Sequence, residues 1–245
     1  MLHHLTYRLL FLLLGGLLPA LAAYAQPGRF SAPVKLPEVV NSTAEEGMPY
    51  LAPDGQTLYF VRTFHPDNIG GEGSGQDVWS STFEDGQWSA PENSFSFNDE
   101  ENNAVTGIST TGDTLYLLGT YSKKAQLKKG LALTTDPEGV WKRPSPVSIP
   151  GLNIKGDFYV LFMNETADRL VISMNGKNSL GEEDLYICVK RKSGRWSRPI
   201  HLGDTVNSTG YEISPFLAED GRTLYFASVA VGGKIERAAI FGQKR

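Results

Sequence analysis

The sequence predicts an all-β fold, a β-propeller of four blades with four antiparallel strands in each blade. A repeated phrase with a proline at its end is the first sign of this fold. The phrase is written Phe30-Ser31-Ala32-Pro33, Trp88-Ser89-Ala90-Pro91, Trp141-Lys142-Arg143-Pro144 and Trp196-Ser197-Arg198-Pro199. A strand signal lies after each phrase, as Leu58-Tyr59-Phe60, Leu115-Tyr116-Leu117, Leu170-Val171-Ile172 and Leu224-Tyr225-Phe226, with first residues 57, 55 and 54 apart. A period in the fifties is about the length of one propeller blade.

Each repeat begins with the same internal order. An opening asparagine and the leucine of the strand signal are 17 residues apart in all four repeats, as in Asn41 to Leu58. This interval predicts a short inner strand such as Met48 to Leu51, a turn such as Pro53-Asp54-Gly55, and a second strand that starts at Thr57. Glycine favours the turn because it adopts positive φ without steric cost. The third repeat has Thr166-Ala167-Asp168 there, which predicts another turn type.

A third and a fourth strand complete the repeat. The third strands are predicted at Asp77-Val78-Trp79-Ser80, Gly130-Leu131-Ala132-Leu133, Asp184-Leu185-Tyr186-Ile187 and Arg237-Ala238-Ala239-Ile240. The fourth strand carries the proline phrase, and because proline donates no backbone hydrogen bond this strand suits the outer edge. The recurrence of Trp88, Trp141 and Trp196 indicates packing between blades, since a buried indole removes a large apolar area from water.

The two ends of the chain predict how the ring closes. The last repeat stops after its third strand at Arg245, and an unpartnered fourth-strand phrase stands at Phe30 to Pro33. We therefore expect an N-terminal strand that closes the last blade and removes an open sheet edge. The alternative is part of a larger ring that completes itself with a partner.

Residues 1–25 predict a secretory signal peptide, which leaves residues 26–245 as a single propeller domain. Arg8 precedes apolar runs at Leu9 to Leu14 and Leu17 to Leu21, and Ala23-Tyr24-Ala25 suits cleavage after Ala25. An uncleaved anchor is the alternative. With cleavage, no transmembrane segment is expected. We then expect an exported protein in the periplasm, at the outer membrane or outside the cell.

Composition and residue spacing exclude several partners and cofactors. The formal net charge of −4 at pH 7 argues against binding to nucleic acid. His65 and His201 fall in different parts of the repeat, and no metal-ligand spacing is present. The single cysteine, Cys188, lies in an apolar strand pattern and is predicted to be a buried thiol. We expect a monomer with no cofactor and no metal.

A longer element resembles a known family. Pro53-Asp54-Gly55-Gln56-Thr57-Leu58-Tyr59-Phe60, repeated as Glu219-Asp220-Gly221-Arg222-Thr223-Leu224-Tyr225-Phe226, is similar to the WD40-like repeat of TolB-type propellers. The resemblance implies export to the envelope of Gram-negative bacteria. A scaffold role is compatible with this resemblance. The chain is not expected to be an enzyme, because its candidate catalytic residues are scattered and no nucleophile-elbow motif is present.

The predicted site lies where the inner strands begin, on the face that also carries the connections from the fourth strand to the first and from the second to the third. We call it the loop face. Its candidate ligand-binding residues are Glu45, Glu46, Asn102, Asn103, Asp157, Tyr211 and Glu212, with Phe158 beside Asp157. Such a set could bind a cation through oxygen ligands, or a sugar stacked on the aromatic rings. The alternative is that these side chains are solvated and line a wet channel.

Two loops of the loop face add further candidates. Phe64 to Gln76 contains a glycine run and is predicted to be a flexible binding loop or disordered. Ser122 to Lys129 contains four lysines, which suit an anionic glycan or a phosphate-bearing lipid head group, or form a solvated charge run.

Three functions are compatible with this sequence. The preferred hypothesis is a non-catalytic exported propeller that binds a protein or a component of the cell envelope. The second is a carbohydrate-binding propeller. The third is a glycoside-processing enzyme in which Glu46 and Glu212 form the pair of carboxyl groups that such chemistry needs.

Overall fold

The computed structural model describes residues 31–123, 128–136, 140–229 and 241–242. Its strands form four antiparallel sheets that follow one another along the chain, so the predicted all-β propeller of four blades is confirmed. Blade 1 contains β1 (Glu45–Leu51), β2 (Thr57–Thr63), β3 (Gln76–Glu84) and β4 (Gln87–Trp88). Blade 2 contains β5 (Val105–Ile108), β6 (Thr114–Leu118), β7 (Leu131–Thr135) and β8 (Ser145–Pro146). Blade 3 contains β9 (Lys155–Met163), β10 (Arg169–Asn175), β11 (Asp184–Val189) and β12 (Ile200–His201), and blade 4 contains β13 (Tyr211–Leu217), β14 (Thr223–Val229) and β15 (Phe241–Gly242).

The strands of each blade are ordered from the inside outwards as they occur in the chain. The predicted outermost position of the fourth strand is confirmed by β4, β8 and β12, which each pair with a third strand only. The proline-containing phrases lie in or beside these edge strands. Because the outer edge has no further strand to pair with, the missing N–H of proline does not break a hydrogen bond of the sheet.

The predicted closure of blade 4 depends on residues outside the described ranges. Phe30, the predicted third strand at Arg237 to Ile240 and the predicted signal at residues 1–25 all lie there. The chain divides into the units Met1–Lys35 and Leu36–Arg245, and every strand belongs to the second. Ser31 to Lys35 have no regular secondary structure, and the described part of blade 4 has three strands. No helix in the described ranges is long and apolar enough to cross a membrane.

Successive blades pack through their inner strands and through the repeated indoles. β1 contacts β5, β5 contacts β9, and β9 contacts β13. The ring of Trp141 in blade 2 meets the edge of Tyr59 in blade 1, with centroids 6.5 Å apart. Trp196 is buried in the main core cluster with side chains of blades 2 and 3. The tryptophans therefore serve as packing residues, as their recurrence predicted.

The centre of the ring is filled by aromatic side chains. Tyr50 of β1 stacks on Phe162 of β9 at 6.4 Å between centroids, and Phe162 meets Phe216 of β13 at 5.1 Å. The Tyr50 hydroxyl also donates a 2.9 Å hydrogen bond to the Thr106 carbonyl of blade 2. Blades 1 and 3 are not neighbours in the ring, so rings from both can touch only at its centre. We call Tyr50, Phe162 and Phe216 the aromatic plug.

In blade 2 the position that corresponds to the three rings of the aromatic plug is occupied by a glycine. Tyr50, Phe162 and Phe216 pair with the second residue of their strand signals, and Gly107 pairs in the same way with Tyr116. A Cβ atom on Gly107 would lie 2.6 Å from Cβ of Met163. The glycine therefore lets blade 2 approach blade 3 closely.

Blade 3 differs from the others in the register of its inner strand. β1, β5 and β13 each contain a bulge, whereas β9 pairs without interruption from Met163 to Tyr159. A one-residue slip exchanges the faces of a strand. Tyr159, opposite Met174, therefore occupies the level at which Glu46 lies opposite Arg62 in blade 1. The equal 17-residue intervals placed Phe158 there, and that equivalence is wrong.

The hairpin turn of blade 3 is the same turn as in the other blades, so the expectation of another type is wrong. Ala167 has φ of 51°, in the left-handed region where Gly55 has 69°. The Ala167 amide donates to the Asn164 carbonyl at 2.9 Å, as the Gly55 amide does to Ala52. Alanine pays about 1–2 kcal/mol for this conformation. The Asn164 side chain holds the turn by accepting from the Arg169 amide at 2.8 Å.

Replacement of Gly107 tests the close packing at the centre. We expect Gly107→Ala to lower the free energy of unfolding by about 1–3 kcal/mol, because the added Cβ must displace Met163. The measurement is urea denaturation followed by tryptophan fluorescence. Gly47→Ala is the matched control in β1, where the nearest atom to the new Cβ lies 3.7 Å away. Equal stability losses in both variants would contradict the packing argument.

Candidate functional site

A cleft of about 1210 Å³ opens on the loop face above blade 2, between blades 1 and 3. We call it the loop-face cleft. Its walls are the connection from β4 to β5, the loop between β6 and β7, and the start of β9. Its polar and aromatic lining comprises the acids Asp99, Glu100, Glu101 and Asp157, the bases Lys123, Lys128, Lys129 and Arg143, the amides Gln76, Asn98, Asn102 and Asn103, and the rings of Phe97, Tyr121, Phe158 and Tyr159.

The structure brings three of the seven candidate residues together. Asn102, Asn103 and Asp157 line the loop-face cleft, and Phe158 lies with them at 51% exposure. The other four, which are Glu45, Glu46, Tyr211 and Glu212, do not line it. The candidates of blades 2 and 3 thus share one cavity, whereas those of blades 1 and 4 lie elsewhere.

Glu46 and Glu212 bind donors of their own connecting segments. Glu46 accepts from the backbone amide and the hydroxyl of Ser42, at 3.0 and 2.5 Å. Glu212 accepts in the same way from Ser208, at 3.0 and 2.6 Å. Glu212 also accepts from the Ser228 hydroxyl at 2.6 Å and is fully buried. These carboxylates brace the connection from one blade to the next.

Asn103 performs the same task in blade 2 with an amide. Its Oδ1 accepts from the Asp99 backbone amide at 2.7 Å, and its Nδ2 donates to the Asp99 carboxylate at 2.9 Å. In all three blades the residue after the opening asparagine bonds to a side chain four residues later. That pattern is visible in the sequence and could have marked Glu46 and Glu212 as structural. Both carboxylates of the predicted Glu46 and Glu212 pair thus accept hydrogen bonds within their own blades, and a catalytic role for the pair stays a prediction.

Ion pairs across the cleft neutralise two of the lysines. Lys128 pairs with Glu101, and Lys129 Nζ lies 3.0 Å from the Asp157 carboxylate. Lys123 and Arg143 have no acidic partner in the part of the chain that the structure describes. Lys124 lies outside that part. The lining thus holds four acids and four bases, so it is charge-balanced and not basic.

Two tyrosines give the cleft hydroxyl groups at its floor. Burial raises the pKa of Tyr121 and of Tyr159, so both phenols are protonated at neutral pH. The Tyr159 oxygen accepts a 3.3 Å hydrogen bond from the Gly130 amide. The Tyr121 oxygen is buried, and the Asn103 side chain is near enough to lower its pKa against the effect of burial, but no hydrogen bond of normal geometry forms among the described residues. An unmade hydrogen bond of this kind costs about 1–3 kcal/mol.

The glycine-rich loop Phe64 to Gln76 is hydrogen-bonded to buried side chains of blade 1, and its flexibility stays a prediction. Asp77 is 1% exposed, and its Oδ2 accepts from the Ile69 amide at 2.7 Å and from the Asn93 side chain at 3.3 Å. The Trp79 indole donates to the buried Asn68 at 3.0 Å. A short 3₁₀ turn completes the loop. Ile69 is thereby positioned at the cleft.

Asp184 and His201 form the corresponding anchor in blade 3. The buried Asp184 carboxylate accepts from the Leu180 amide at 2.8 Å and lies 2.6 Å from His201 Nε2. The Gly203 amide donates to His201 Nδ1, which assigns the proton to Nε2. Within the described ranges no group of three or more histidine, cysteine or acidic residues could hold a metal ion.

Cys188 is fully buried, as predicted, and burial raises the pKa of its thiol to about 12. The thiolate is the reactive form of cysteine. Cys188 is therefore a packing residue in blade 3.

Comparison with known proteins adds one structural relative. No protein-family model and no curated protein matches the chain. The solved structure of the periplasmic gluconolactonase of Pseudomonas aeruginosa is similar, with a TM-score of 0.40 and 16% sequence identity. The similarity covers 79% of this chain, and the chain spans about half of that protein, 55% of its length. Membership in the WD40-like, TolB-type family remains a prediction.

This relative corrects the expectation that the chain is not an enzyme. A gluconolactonase is an enzyme, so a propeller fold gives no ground for excluding catalysis. Its activity belongs to that protein and is not transferred at this identity.

Removal of the Glu212 side chain tests its bracing role. We expect Glu212→Ala to lower the free energy of unfolding by about 2–4 kcal/mol, because three donors lose their acceptor and a buried space opens. Thermal and urea denaturation measure the loss. Glu45→Ala, at an exposed position one blade away, should change stability by less than about 0.5 kcal/mol. A tolerated Glu212→Ala would contradict the assigned role.

The pH dependence of stability tests the Asp77 anchor. Burial raises the pKa of Asp77 in the folded state, so its favourable contribution is complete below the unfolded pKa of about 3.9 and is lost as pH rises through the folded pKa. Asp77→Asn keeps an acceptor oxygen without the charge. Its stability relative to wild type should therefore rise with pH above about 4, measured by urea denaturation across pH.

Asp220→Asn is the control, because its effect on stability is expected to depend on pH in the opposite direction. Hydrogen bonds from the Thr223 hydroxyl and amide and from the Arg222 amide lower the pKa of Asp220. Its contribution is present above the unfolded pKa and is lost as pH falls. Asp220→Asn should thus be less stable than wild type at neutral pH, with the difference closing in acid. Parallel pH profiles for the two variants would refute the anchor argument.

Proposed function

We propose that the chain is an exported propeller of the WD40-like, TolB-type repeat class that binds a glycan of the cell envelope in the loop-face cleft. The observation that carries this proposal is the Tyr121 hydroxyl, a buried donor that lies near Asn103 but makes no hydrogen bond of normal geometry in the described chain, at a cleft that also exposes the ring of Phe158. Sugar sites combine a few convergent polar groups with an aromatic surface.

The charge balance of the cleft supports a neutral or zwitterionic glycan. Four acids and four bases line it, and the Lys128–Glu101 and Lys129–Asp157 pairs already neutralise four of these groups. Sugar hydroxyls both donate and accept hydrogen bonds, so they suit carboxylates, amides and cations together. A strongly anionic ligand would face Asp99 and Glu100 as well as Lys123 and Arg143.

The size and the closed floor of the cleft support an oligosaccharide. Its volume of about 1210 Å³ is above the range of about 300–1,000 Å³ for small-molecule pockets. Met48 lines the cleft, and two residues further along β1 Tyr50 belongs to the aromatic plug. A ligand therefore enters and leaves from the loop face.

Export and envelope association belong to the same proposal. They rest on the signal-like residues 1–25 and on the repeat that resembles TolB-type propellers. Fractionation of cells that produce the full chain tests the location, and recovery of the protein in the cytoplasm would contradict it.

A glycan array with the purified chain from residue 26 tests the ligand class, followed by calorimetry with any retained saccharide. We expect Tyr121→Phe and Phe158→Ala to weaken binding about tenfold or more, because one removes the donor and the other the stacking surface. Incubation of the saccharide with the protein, followed by product analysis, tests for turnover in the same samples.

Two exposed aromatic residues outside the cleft are the matched controls. Phe83→Ala and Tyr211→Ala remove rings with 39% and 42% exposure, and neither residue lines the cleft. Both variants should retain wild-type affinity. An array without any retained saccharide, or equal losses in Tyr211→Ala and Phe158→Ala, would contradict the proposal. Capture of a protein through Tyr121 and Phe158 would instead assign the cleft to a protein partner.

A further inference from the structure

A cationic stretch in blade 3 stands apart from the rest of this acidic chain. Residues 185–203 contain Lys190, Arg191, Lys192, Arg195 and Arg198 and no aspartate or glutamate, although the whole chain has a formal net charge of −4. All five side chains are exposed. The segregation of one charge sign over 19 residues creates a local positive potential on a chain whose net charge is negative.

A tight turn between β11 and β12 brings two of these arginines to the same place. The Arg191 amide donates to the Arg195 carbonyl at 2.8 Å, and the Gly194 amide donates to the Arg191 carbonyl at 2.8 Å. Gly194 has φ of 79°, which glycine adopts without steric cost. The main chain thus holds Arg191 and Arg195 across a narrow hairpin.

Three arginines line a cavity at the base of this hairpin. The cavity has a volume of about 370 Å³ and is lined by Pro150, Arg191, Arg195, Trp196, Ser197, Arg198 and Ile200. We call it the arginine cavity. No acidic side chain is among the lining residues, in contrast to the balanced lining of the loop-face cleft.

Neighbouring groups position the arginines but do not neutralise them. The Arg198 stem lies against the backbone of Gly151, where an added Cβ would be 3.4 Å from Arg198 Cγ. Trp196 is 6% exposed and forms an apolar wall, with Lys190 Nζ 5.8 Å from its ring centroid. Asp168 pairs with Arg169 at 3.2 Å. Within the described part of the chain, Arg191, Arg195 and Arg198 form no ion pair.

We propose that the arginine cavity binds a phosphate group. A guanidinium presents a planar fork of donors that matches phosphate oxygens in bidentate geometry. A phosphate monoester carries a charge of about −1.5 to −2 at pH 7 and three acceptor oxygens, so it can engage three arginines at once. A carboxylate offers two oxygens and a single charge. This site is separate from the loop-face cleft, and either can fail without the other.

Titration with inorganic phosphate tests the site. The purified chain from residue 26 is observed through the Trp196 indole and arginine side-chain NMR resonances, at about 150 mM salt to screen weak surface attraction. We expect saturable binding that is weakened tenfold or more in Arg195→Gln/Arg198→Gln. Arg195→Lys keeps the charge without the fork and should lose severalfold in affinity. Circular dichroism confirms that each variant is folded.

Lys192→Gln is the matched control, because Lys192 is an exposed cation of the same hairpin that does not line the cavity. It should bind phosphate within twofold of wild type. Equal losses in Lys192→Gln and in the double arginine variant would reduce the effect to general surface charge and overturn the proposal. Absence of saturable phosphate binding to the wild type would also overturn it.

Vesicles identify the source of the phosphate. Binding to phosphatidic acid vesicles but not to phosphatidylcholine vesicles, lost in Arg195→Gln/Arg198→Gln, supports a lipid head group as the ligand. Phosphate binding without vesicle binding supports a soluble or glycan-linked phosphate. Vesicle binding that survives the double substitution would contradict the role of the arginine cavity in membrane contact.

Discussion

The contact between inner strands at the centre of the ring is the constraint on which the rest of the structure depends. A ring of four blades is small, and Tyr50, Phe162 and Phe216 fill its middle with stacked and edge-on rings. The missing side chain of Gly107 completes this packing, since Met163 occupies the space. Neither of the two described cavities is lined by these three rings.

Polar side chains hold the connecting segments of the blades in place. Glu46, Asn103 and Glu212 hold the segment that enters the inner strand, and Asp77 and Asp184 hold the loop between the second and third strands. These polar side chains are buried or partly buried because they satisfy backbone donors that no ladder reaches. The loop-face cleft lies at blades 2 and 3. In blade 2 the bracing side chain is an amide, and in blade 3 the inner strand has a shifted register.

Charge is distributed unevenly between the two cavities. The loop-face cleft balances its acids and bases, which suits hydroxyl-rich ligands, whereas the arginine cavity has cations alone. No residue lines both cavities, so their affinities can be separated by substitution.

The sequence alone determined the architecture, because the repeated phrases, turns and 17-residue intervals are local signals with one periodicity. Strand order, the outer fourth strand and the indole packing followed from that periodicity. Only the tertiary structure decided which polar residues are free. The register irregularity of β9 lies beyond Tyr159, opposite Met174 and Asn175, so it leaves the interval unchanged yet moves Tyr159 into the place expected for Phe158. Glu46 and Glu212 resemble site residues in the sequence, and only the structure shows the local donors that they bind. The arginine cavity forms only when the β11–β12 hairpin packs beside Pro150 and Gly151. Hydrogen-bond satisfaction and packing across blades are long-range properties, and spacing along the chain does not encode them.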